Sequence, residues 1–371
     1  MDDANWAAKL VNSLLTVAGL IIAINFTIHG KIERMKRWQI WLGLIISAVF
    51  LYFALRDLHI EDVWGIIQSA KYYWLLPAVV IYFAGVWVRT WRWQYLLNPL
   101  KKISIRTMFP VVNIGYLGNN IYPARAGEVL RAFVLKRREQ VPVSASLATI
   151  IVERIFDGVV MLGFVFLNLG QLSHLRNSAG FVGNIQNLAL WAGAAFAVAL
   201  VVFLVAAMFP AFAERLATFF IDRLVPGRWR EKIRGFTLRF LTGLESLRSP
   251  WEALMIFLTS VLIWMIETVV YWFVMQAFQF NISFFALMLI NGVVNLATML
   301  PSAPGYIGIF EAPGIALLQA YGVAGDIAAG YMLVLHLTLW LPITLVGAYY
   351  FLREGLKWGE KISIDESQPA A

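Results

Sequence analysis

The sequence contains no cysteine, and its four histidines are scattered along 371 residues. Without cysteine, the chain forms no disulfide and has no thiolate that could bind a metal or act in catalysis. Cysteine usage therefore does not indicate whether the protein works in an oxidising or a reducing compartment. Scattered histidines predict no metal centre. The sequence also lacks a glycine-rich phosphate loop and a dinucleotide-binding glycine pattern. We therefore expect no cofactor and no ATP-driven transport by this chain alone.

Charged residues are scarce as well. They make up 14% of the chain and apolar residues 60%, whereas a soluble globular protein carries about 25% charged residues. The net charge of +8 would suit a nucleic-acid partner, but the basic residues are confined to a few short loops, as in membrane proteins. The sequence therefore predicts an all-α polytopic integral membrane protein that has no nucleic-acid partner.

Apolar stretches of the length that crosses a bilayer recur along the chain. Seven of them are predicted as spans: 10–28, 38–55, 72–97, 144–168, 186–209, 252–276 and 326–352. The first does not read as a signal peptide, because Asp2 and Asp3 stand where basic residues should be. We interpret 1–35 as an extra span with a basic loop, 36–355 as the main membrane domain and 356–371 as a cytoplasmic tail.

The loops alternate in charge. Lys and Arg concentrate after the first, third and fifth spans, and Arg89 and Arg92 are assigned to the loop after the third. This alternation predicts an N-terminus outside and a C-terminus in the cytoplasm, in the plasma or inner membrane.

The longest basic loop, 210–250, is predicted to be amphipathic. Trp229, Ile233, Phe236 and Phe240 recur at helical spacing within it. We expect this loop to lie on the anionic cytoplasmic leaflet, with a merely solvated loop as the alternative.

Two further apolar stretches, 107–122 and 284–300, are interrupted by proline and glycine. The interruptions are Pro123-Ala124-Arg125-Ala126-Gly127 and Pro301-Ser302-Ala303-Pro304-Gly305. If 107–122 crossed the membrane, the basic residues 136–138 would lie outside, against the charge alternation. We interpret both stretches as re-entrant broken-helix hairpins, which are tolerated only where protein or a water-filled cavity covers them. The second is long enough that it could also span.

The two interrupted stretches resemble each other. Asn113, Pro123 and Gly127 match Asn291, Pro301 and Gly305 at one offset, 291 − 113 = 178 positions. The odd number of predicted spans between them places the hairpins on opposite sides. This predicts an inverted repeat, a plan in which transporters bind substrate at the repeat interface. The alternative is two unrelated proline–glycine kinks.

The fourth predicted span carries Glu153, Arg154 and Asp157 on one helical face. Each charge costs roughly 2.5–3.5 kcal/mol at the middle of the bilayer, so the three must face the bundle interior. Arg154 and Asp157 are spaced to neutralise each other, leaving Glu153 for another partner. The group either lines a substrate path or only locks helices together.

The first hairpin adds Arg125, Glu128 and Arg131 at the start of its second helix. A helix N-terminus offers free N–H donors, and guanidinium forks match phosphate oxygens, so these residues predict a phosphate clamp. The alternative is that these arginines merely anchor the helix at the interface.

The second hairpin carries one charged residue, Glu311, among glycines that include Gly305 and Gly308. We predict Glu311 as a further substrate-binding residue and the two glycines as structural breaks. Glu267 and His336 are lone polar groups in the sixth and seventh predicted spans, and His336 is interpreted as a packing residue.

Three motifs follow one another along the chain: Pro123 to Arg131, Glu153-Arg154-Ile155-Phe156-Asp157, and Pro301 to Glu311. They resemble the lysylphosphatidylglycerol synthase transmembrane-region family, whose members are also called flippase-like domain proteins, over about 36–355. In multidomain relatives, the resemblance implies, this region moves aminoacylated phosphatidylglycerol between leaflets, and a separate cytosolic domain makes that lipid. Other relatives are joined to glycosyltransferases that use polyprenyl-linked sugars.

Three functions follow as hypotheses. The first is a translocator of a phosphate-bearing lipid, partnered by a phospholipid or polyprenyl-phosphate lipid and by a separate lipid-modifying enzyme. The second is a membrane-embedded transferase, or accessory subunit, acting on polyprenyl-phosphate-linked sugars. Its only candidate acidic pair in an outward loop is Glu61-Asp62, which looks more like the start of an interfacial helix. The third is a channel or solute carrier.

Overall fold

Helices form all the regular structure in the part of the chain that the structure describes. The computed structural model describes residues 60–122, 125–168, 181–299 and 303–356, together with Ile45, Val49 and Tyr52. The α-helices are α1 (Ile60–Ser69), α2 (Leu75–Leu97), α3 (Ile105–Ile121), α4 (Ala126–Glu139), α5 (Val143–Leu167), α6 (Phe181–Met208), α7 (Pro210–Leu224), α8 (Gly227–Thr242), α9 (Pro250–Gln276), α10 (Phe284–Ala297), α11 (Glu311–Ala320) and α12 (Gly325–Arg353). The all-α prediction is confirmed for these residues.

Within these ranges, four helical stretches are long and apolar enough to cross a bilayer. They are Tyr72–Leu97, Asn187–Met208, Pro250–Gln276 and Gly325–Arg353. Helix α5 has 25 residues, which is long enough, but its three charged residues need cover from other helices. The predicted spans 10–28 and 38–55 lie outside the described residues, apart from Ile45, Val49 and Tyr52, and so does the tail beyond Leu356. The total of seven spans therefore stays a prediction.

Each interrupted stretch forms two helices that pack against each other, α3 with α4 and α10 with α11. The first helix of each pair begins at a serine cap. Ser104 Oγ accepts a hydrogen bond from the Thr107 N–H at 3.2 Å, and Ser283 Oγ accepts one from the Ala286 N–H at 3.1 Å. Such caps satisfy amide groups that the helix itself leaves unpaired. The predicted breaks at Pro123 and Pro301 lie outside the described residues.

The centre of the bundle is built on the pairing of α2 with α9, which pack along each other. Helix α12 packs on α3, and α5 packs on α10. Gly347 of α12 lies against the backbone of α3, where an added methyl group would come within 2.5 Å of the Asn113 carbonyl oxygen. Glycine thus brings α12 close to the first hairpin.

Helices α6, α7 and α8 are less buried. Only 6% of the apolar part of α6 is buried. Helices α7 and α8 form the region 210–250 and pack against each other, and α8 also packs on α5. The Phe236 and Phe240 rings stack 6.4 Å apart, while Trp229 remains 47% exposed. Contact of this region with the cytoplasmic leaflet stays a prediction.

Candidate functional site

A cavity of about 140 Å³ lies where the two helix breaks meet. From the first break, Arg125 Nη2 donates to the Thr298 carbonyl oxygen at 3.1 Å and lies 3.3 Å from its hydroxyl. The Arg125 guanidinium also lies 5.4 Å from the centre of the Tyr306 ring in the second break. Arg125 and Tyr306 have φ of 54° and 62°, a conformation uncommon for residues other than glycine. The contact between the breaks is therefore built from unusual backbone on both sides.

The start of α4 reaches the cavity because Gly127 allows it. A Cβ at Gly127 would collide with the Gly115 carbonyl oxygen and the Asn119 amide of α3, so the two backbones touch. Glu128 lies in the first turn of α4, near the positive end of the helix dipole. Its Oε1 is 3.6 Å from Arg125 Nη1 and 3.6 Å from Nε of Arg154. The structure therefore brings together at one wall the residues predicted from the first hairpin.

Arg131 lines the same cavity but is already partly engaged. Its Nη2 lies 2.5 Å from Glu153 Oε2, and its guanidinium lies 4.2 Å from the centre of the Trp93 ring. Glu153 is only 1% exposed and does not line the cavity. It therefore compensates Arg131 from behind the wall, and Arg131 is the partner that the sequence left unassigned.

Asp157 is the centre of a buried network behind this wall. It is 0% exposed and accepts hydrogen bonds from Arg92 Nη1 at 2.5 Å, Arg92 Nη2 at 3.3 Å and Trp264 Nε1 at 2.9 Å. Arg92 Nη1 also donates to Ser260 Oγ at 2.7 Å. The expected pairing of Arg154 with Asp157 is present, with Nη2 and Oδ2 3.2 Å apart. The network joins α2, α5 and α9.

A second buried ion pair, Arg89 with Glu267, also lines the cavity. It joins α2 to α9. The other carboxylate oxygen of Glu267 accepts a hydrogen bond from Asn295 Nδ2 at 3.1 Å, and the Arg89 guanidinium lies 4.9 Å from the centre of a Trp264 ring. Both charges are therefore compensated inside the bundle.

Glu311 reaches the cavity through His336. Glu311 is 3% exposed, and its Oε1 lies 2.5 Å from His336 Nδ1. Its Oε2 accepts a hydrogen bond from the Gly308 N–H at 2.7 Å, and the φ of 86° at Gly308 suits glycine. The His336 ring lies 4.5 Å from the Phe310 ring, and both line the cavity. His336 is therefore a packed side chain whose hydrogen-bond partner is Glu311.

The charges that line the cavity are unequal. Four arginines and two glutamates contribute to its wall. Among the described residues, the Nε–H groups of Arg125, Arg131 and Arg154 have no hydrogen-bond partner, and neither does Asn119 Oδ1. The Nε–H groups of Arg92 and Arg234, which do not line the cavity, are without a partner as well, so the distinguishing feature of this wall is its charge. Its charge and its donors suit a small anion such as a phosphate group.

Metal binding finds no support in the part of the chain described. No group of three or more His, Cys, Asp or Glu there could hold a metal ion.

A family model for the lysylphosphatidylglycerol synthase TM region matches residues 40–347. The chain belongs to this family. With helices of spanning length within the matched region, it is a multi-pass helical membrane protein. Glycosyltransferase AglD of Haloferax volcanii is 27% identical over 370 residues, which cover 91% of this chain and 58% of that protein.

Two further relatives are about as long as this chain. A UPF0104 membrane protein of Methanothermobacter thermautotrophicus is 26% identical over 354 residues, 86% of this chain and 93% of the relative. Another UPF0104 membrane protein, from Methanocaldococcus jannaschii, is 19% identical over 321 residues. The match covers 85% of this chain and 94% of the relative. The chain thus spans little more than half of AglD and nearly all of these two relatives.

Two residues of this lysylphosphatidylglycerol synthase TM-region protein lie elsewhere than the sequence predicted. The assignment of Arg89 and Arg92 to a basic loop is wrong, because both lie inside α2 and are 9% and 1% exposed. Their position within the apolar run 72–97 was the available signal, since an arginine there needs a buried carboxylate. Glu267, noted as a lone polar group, is the partner of Arg89.

Proposed function

We propose that this chain moves a phosphate-bearing lipid between leaflets, with the headgroup phosphate in the cavity. The observation that carries the proposal is that four guanidinium groups but only two carboxylates line the cavity, with Arg125 and Arg131 at the start of α4. Arg125 is only partly engaged, since Thr298 and Tyr306 contact it while Glu128 lies 3.6 Å away. A phosphate would give Arg125 a charged acceptor within hydrogen-bond distance.

The cavity also has an apolar part. Met161, Met299, Leu339 and Ile343 contribute to its lining, beside the polar wall. A lipid needs both, because its headgroup requires hydrogen-bond partners while its chains stay in hydrocarbon. The proposed cargo is an aminoacylated phospholipid or a polyprenyl-linked lipid, supplied by a separate lipid-modifying enzyme and taken up from the cytoplasmic leaflet.

The proposed mechanism is alternating access through an inverted repeat. The order α2 to α5 matches the order α9 to α12, and the two serine caps fall at equivalent places. The pairing of α3 with α12 has its counterpart in that of α10 with α5. Arg89 and Glu267 are 178 positions apart, the offset found between the two breaks. These correspondences support a pseudo-two-fold axis that passes between α2 and α9.

Leaflet exchange in liposomes tests the translocator. Purified protein is reconstituted with a trace of fluorescent phosphatidylglycerol, and dithionite quenching follows the outer-leaflet fraction. We expect exchange well above that of empty liposomes. Arg125→Lys and Arg131→Lys should slow it roughly ten- to a hundredfold at limiting lipid, because Lys lacks the planar fork and a lost charge-assisted hydrogen bond is worth about 1.5–3 kcal/mol.

The matched control is Arg234→Lys. Arg234 lies on α8, contacts Asp222 and Glu231, and is absent from the cavity wall, so its replacement should leave exchange unchanged. Exchange no faster than in empty liposomes would refute the translocator. Equal exchange in wild type and in both cavity variants would instead refute the clamp.

A second candidate function is transfer chemistry on polyprenyl-phosphate-linked sugars, as a transferase or an accessory subunit. The 27% identity to glycosyltransferase AglD favours it. Against a transferase stands the position of Glu61 and Asp62 in the first turn of α1, where carboxylates stabilise a helix start. Incubating the protein with a polyprenyl-phosphate sugar and a labelled acceptor lipid distinguishes the two, since a translocator changes the leaflet of the lipid and leaves its mass unchanged.

A further inference from the structure

Only one of the two ring nitrogens of His336 is bound to Glu311. His336 Nδ1 is held by Glu311 Oε1 at 2.5 Å, which favours the tautomer with the proton on Nδ1. His336 Nε2 makes no hydrogen bond within the described part of the chain, although the side chain is 12% exposed and lines the cavity. In the neutral ring Nε2 is an acceptor. It is therefore an unused acceptor on a residue that lines the cavity.

Several other charged or titratable side chains line the cavity together with His336. Those lining the cavity are Arg89 on α2, Glu267 on α9, Arg125, Glu128 and Arg131 at the start of α4, and Arg154 on α5, with the phenols of Tyr82, Tyr116 and Tyr306. Both glutamates face arginines. Helices α3 and α10 contribute no charged group to the cavity, and α6 has none in its sequence. Arginine and tyrosine ordinarily keep one charge state between pH 5 and 8, whereas imidazole does not.

We propose that His336 is a proton-binding site that couples lipid movement to a pH gradient. The proposal rests on the translocator function. When an anionic headgroup enters the cavity, Nε2 takes a proton from water and the ring becomes an imidazolium beside Glu311. The headgroup brings one negative charge and the proton one positive charge, so each stabilises the binding of the other. The proton leaves Nε2 for water on the far side when the lipid leaves.

Glu311 has the positioning role. Its second oxygen is held by the Gly308 N–H at 2.7 Å, so the carboxylate is fixed to the backbone of the second break. It therefore holds the ring and compensates the imidazolium. Movement of the break would move the proton site with it, which is what coupling requires.

Accumulation against a pH difference tests the proposal. Liposomes of phosphatidylcholine with a trace of fluorescent phosphatidylglycerol receive a pH difference of about one unit. With one proton per lipid, the leaflet ratio should shift toward the alkaline side by up to about tenfold, since one pH unit is worth about 1.4 kcal/mol. His336→Gln should lose this shift in the exchange that it retains. Asp326→Asn, on the same helix but not at the cavity, should retain it.

Exchange in the wild type with a leaflet ratio that ignores the pH difference would overturn proton coupling and leave the translocator standing. A direct measurement decides the site without transport. In nanodiscs at one fixed pH, the ¹⁵N-histidine signal missing from His336→Gln should report more imidazolium when phosphatidylglycerol replaces phosphatidylcholine. Glu311→Gln should reduce that increase. The same imidazolium fraction in both lipids would also overturn the proposal.

Discussion

Replacing Asp157 by Asn should destabilise the protein more than its small change in shape implies. The side chain is 0% exposed and accepts from Arg92 and Trp264, with Arg154 3.2 Å away. Asparagine keeps one acceptor oxygen but turns an N–H₂ group toward guanidinium donors. Removing one partner of a buried ion pair costs about 3–5 kcal/mol. Arg154 keeps Glu128 at 3.6 Å and Arg92 keeps Glu153 at 3.7 Å, so we expect about 3 kcal/mol.

Asp222→Asn is the matched control. Asp222 also accepts two hydrogen bonds from one arginine, at 2.9 and 3.1 Å from Arg234 Nη2, but the two side chains are 47% and 34% exposed. An exposed pair contributes about 0–1 kcal/mol. The loss of unfolding free energy should therefore be larger for Asp157→Asn than for Asp222→Asn by about 2 kcal/mol or more, because the Asp157 pair is buried.

Steric trapping in bicelles measures the unfolding free energy of both variants and of the wild type. Size-exclusion profiles first establish that each variant is monodisperse. If Asp157→Asn and Asp222→Asn lose the same small amount, the network behind the cavity is not the tight lock that its distances indicate. The charges of Arg92 and Arg154 would then have found compensation elsewhere.

The packing and the topology give two further predictions. Gly127→Ala should lower stability by about 1–3 kcal/mol or more, because the added methyl group forces α4 away from α3. Gly163→Ala has nothing within 4 Å of the added Cβ and should raise stability by up to about 1 kcal/mol. Equal shifts of the thermal unfolding temperature in the two variants would refute the close contact. Lys102→Cys and Asn281→Cys, both exposed and at matching places before the two serine caps, should react with an impermeant thiol reagent from opposite sides. Labelling of both from one side would refute the inverted repeat.

Local chemistry made much of the site predictable. The proline–glycine runs indicate helix breaks, because proline removes a donor and glycine permits positive φ. The charged face of α5 had to point inward, because lipid excludes it. Gly305 and Gly308, named from sequence alone, have φ of 72° and 86°. These features depend on a few neighbouring residues, which a sequence displays directly.

Partners across helices were not predictable in the same way. Arg92 and Asp157 are 65 positions apart, and Glu311 and His336 are 25 apart. Their pairing depends on which helices pack together, and several arginines could have satisfied each carboxylate. The sequence required a partner for Glu153 but could not choose among them. Burial of Arg89 and Arg92 was misjudged for the same reason, since a cation near the end of an apolar run can belong either to a loop or to a core.

The Arg89–Glu267 pair has a consequence for how the two halves diverge. In the proposed repeat, a two-fold axis exchanges these positions, and the residues meet across it. Two identical halves would put Arg against Arg or Glu against Glu there, and like charges at this distance repel. Opposite charges at the axis are possible only after the halves differ in sequence. This pair is therefore a place where the proposed symmetry of the backbone goes with different side chains in the two halves.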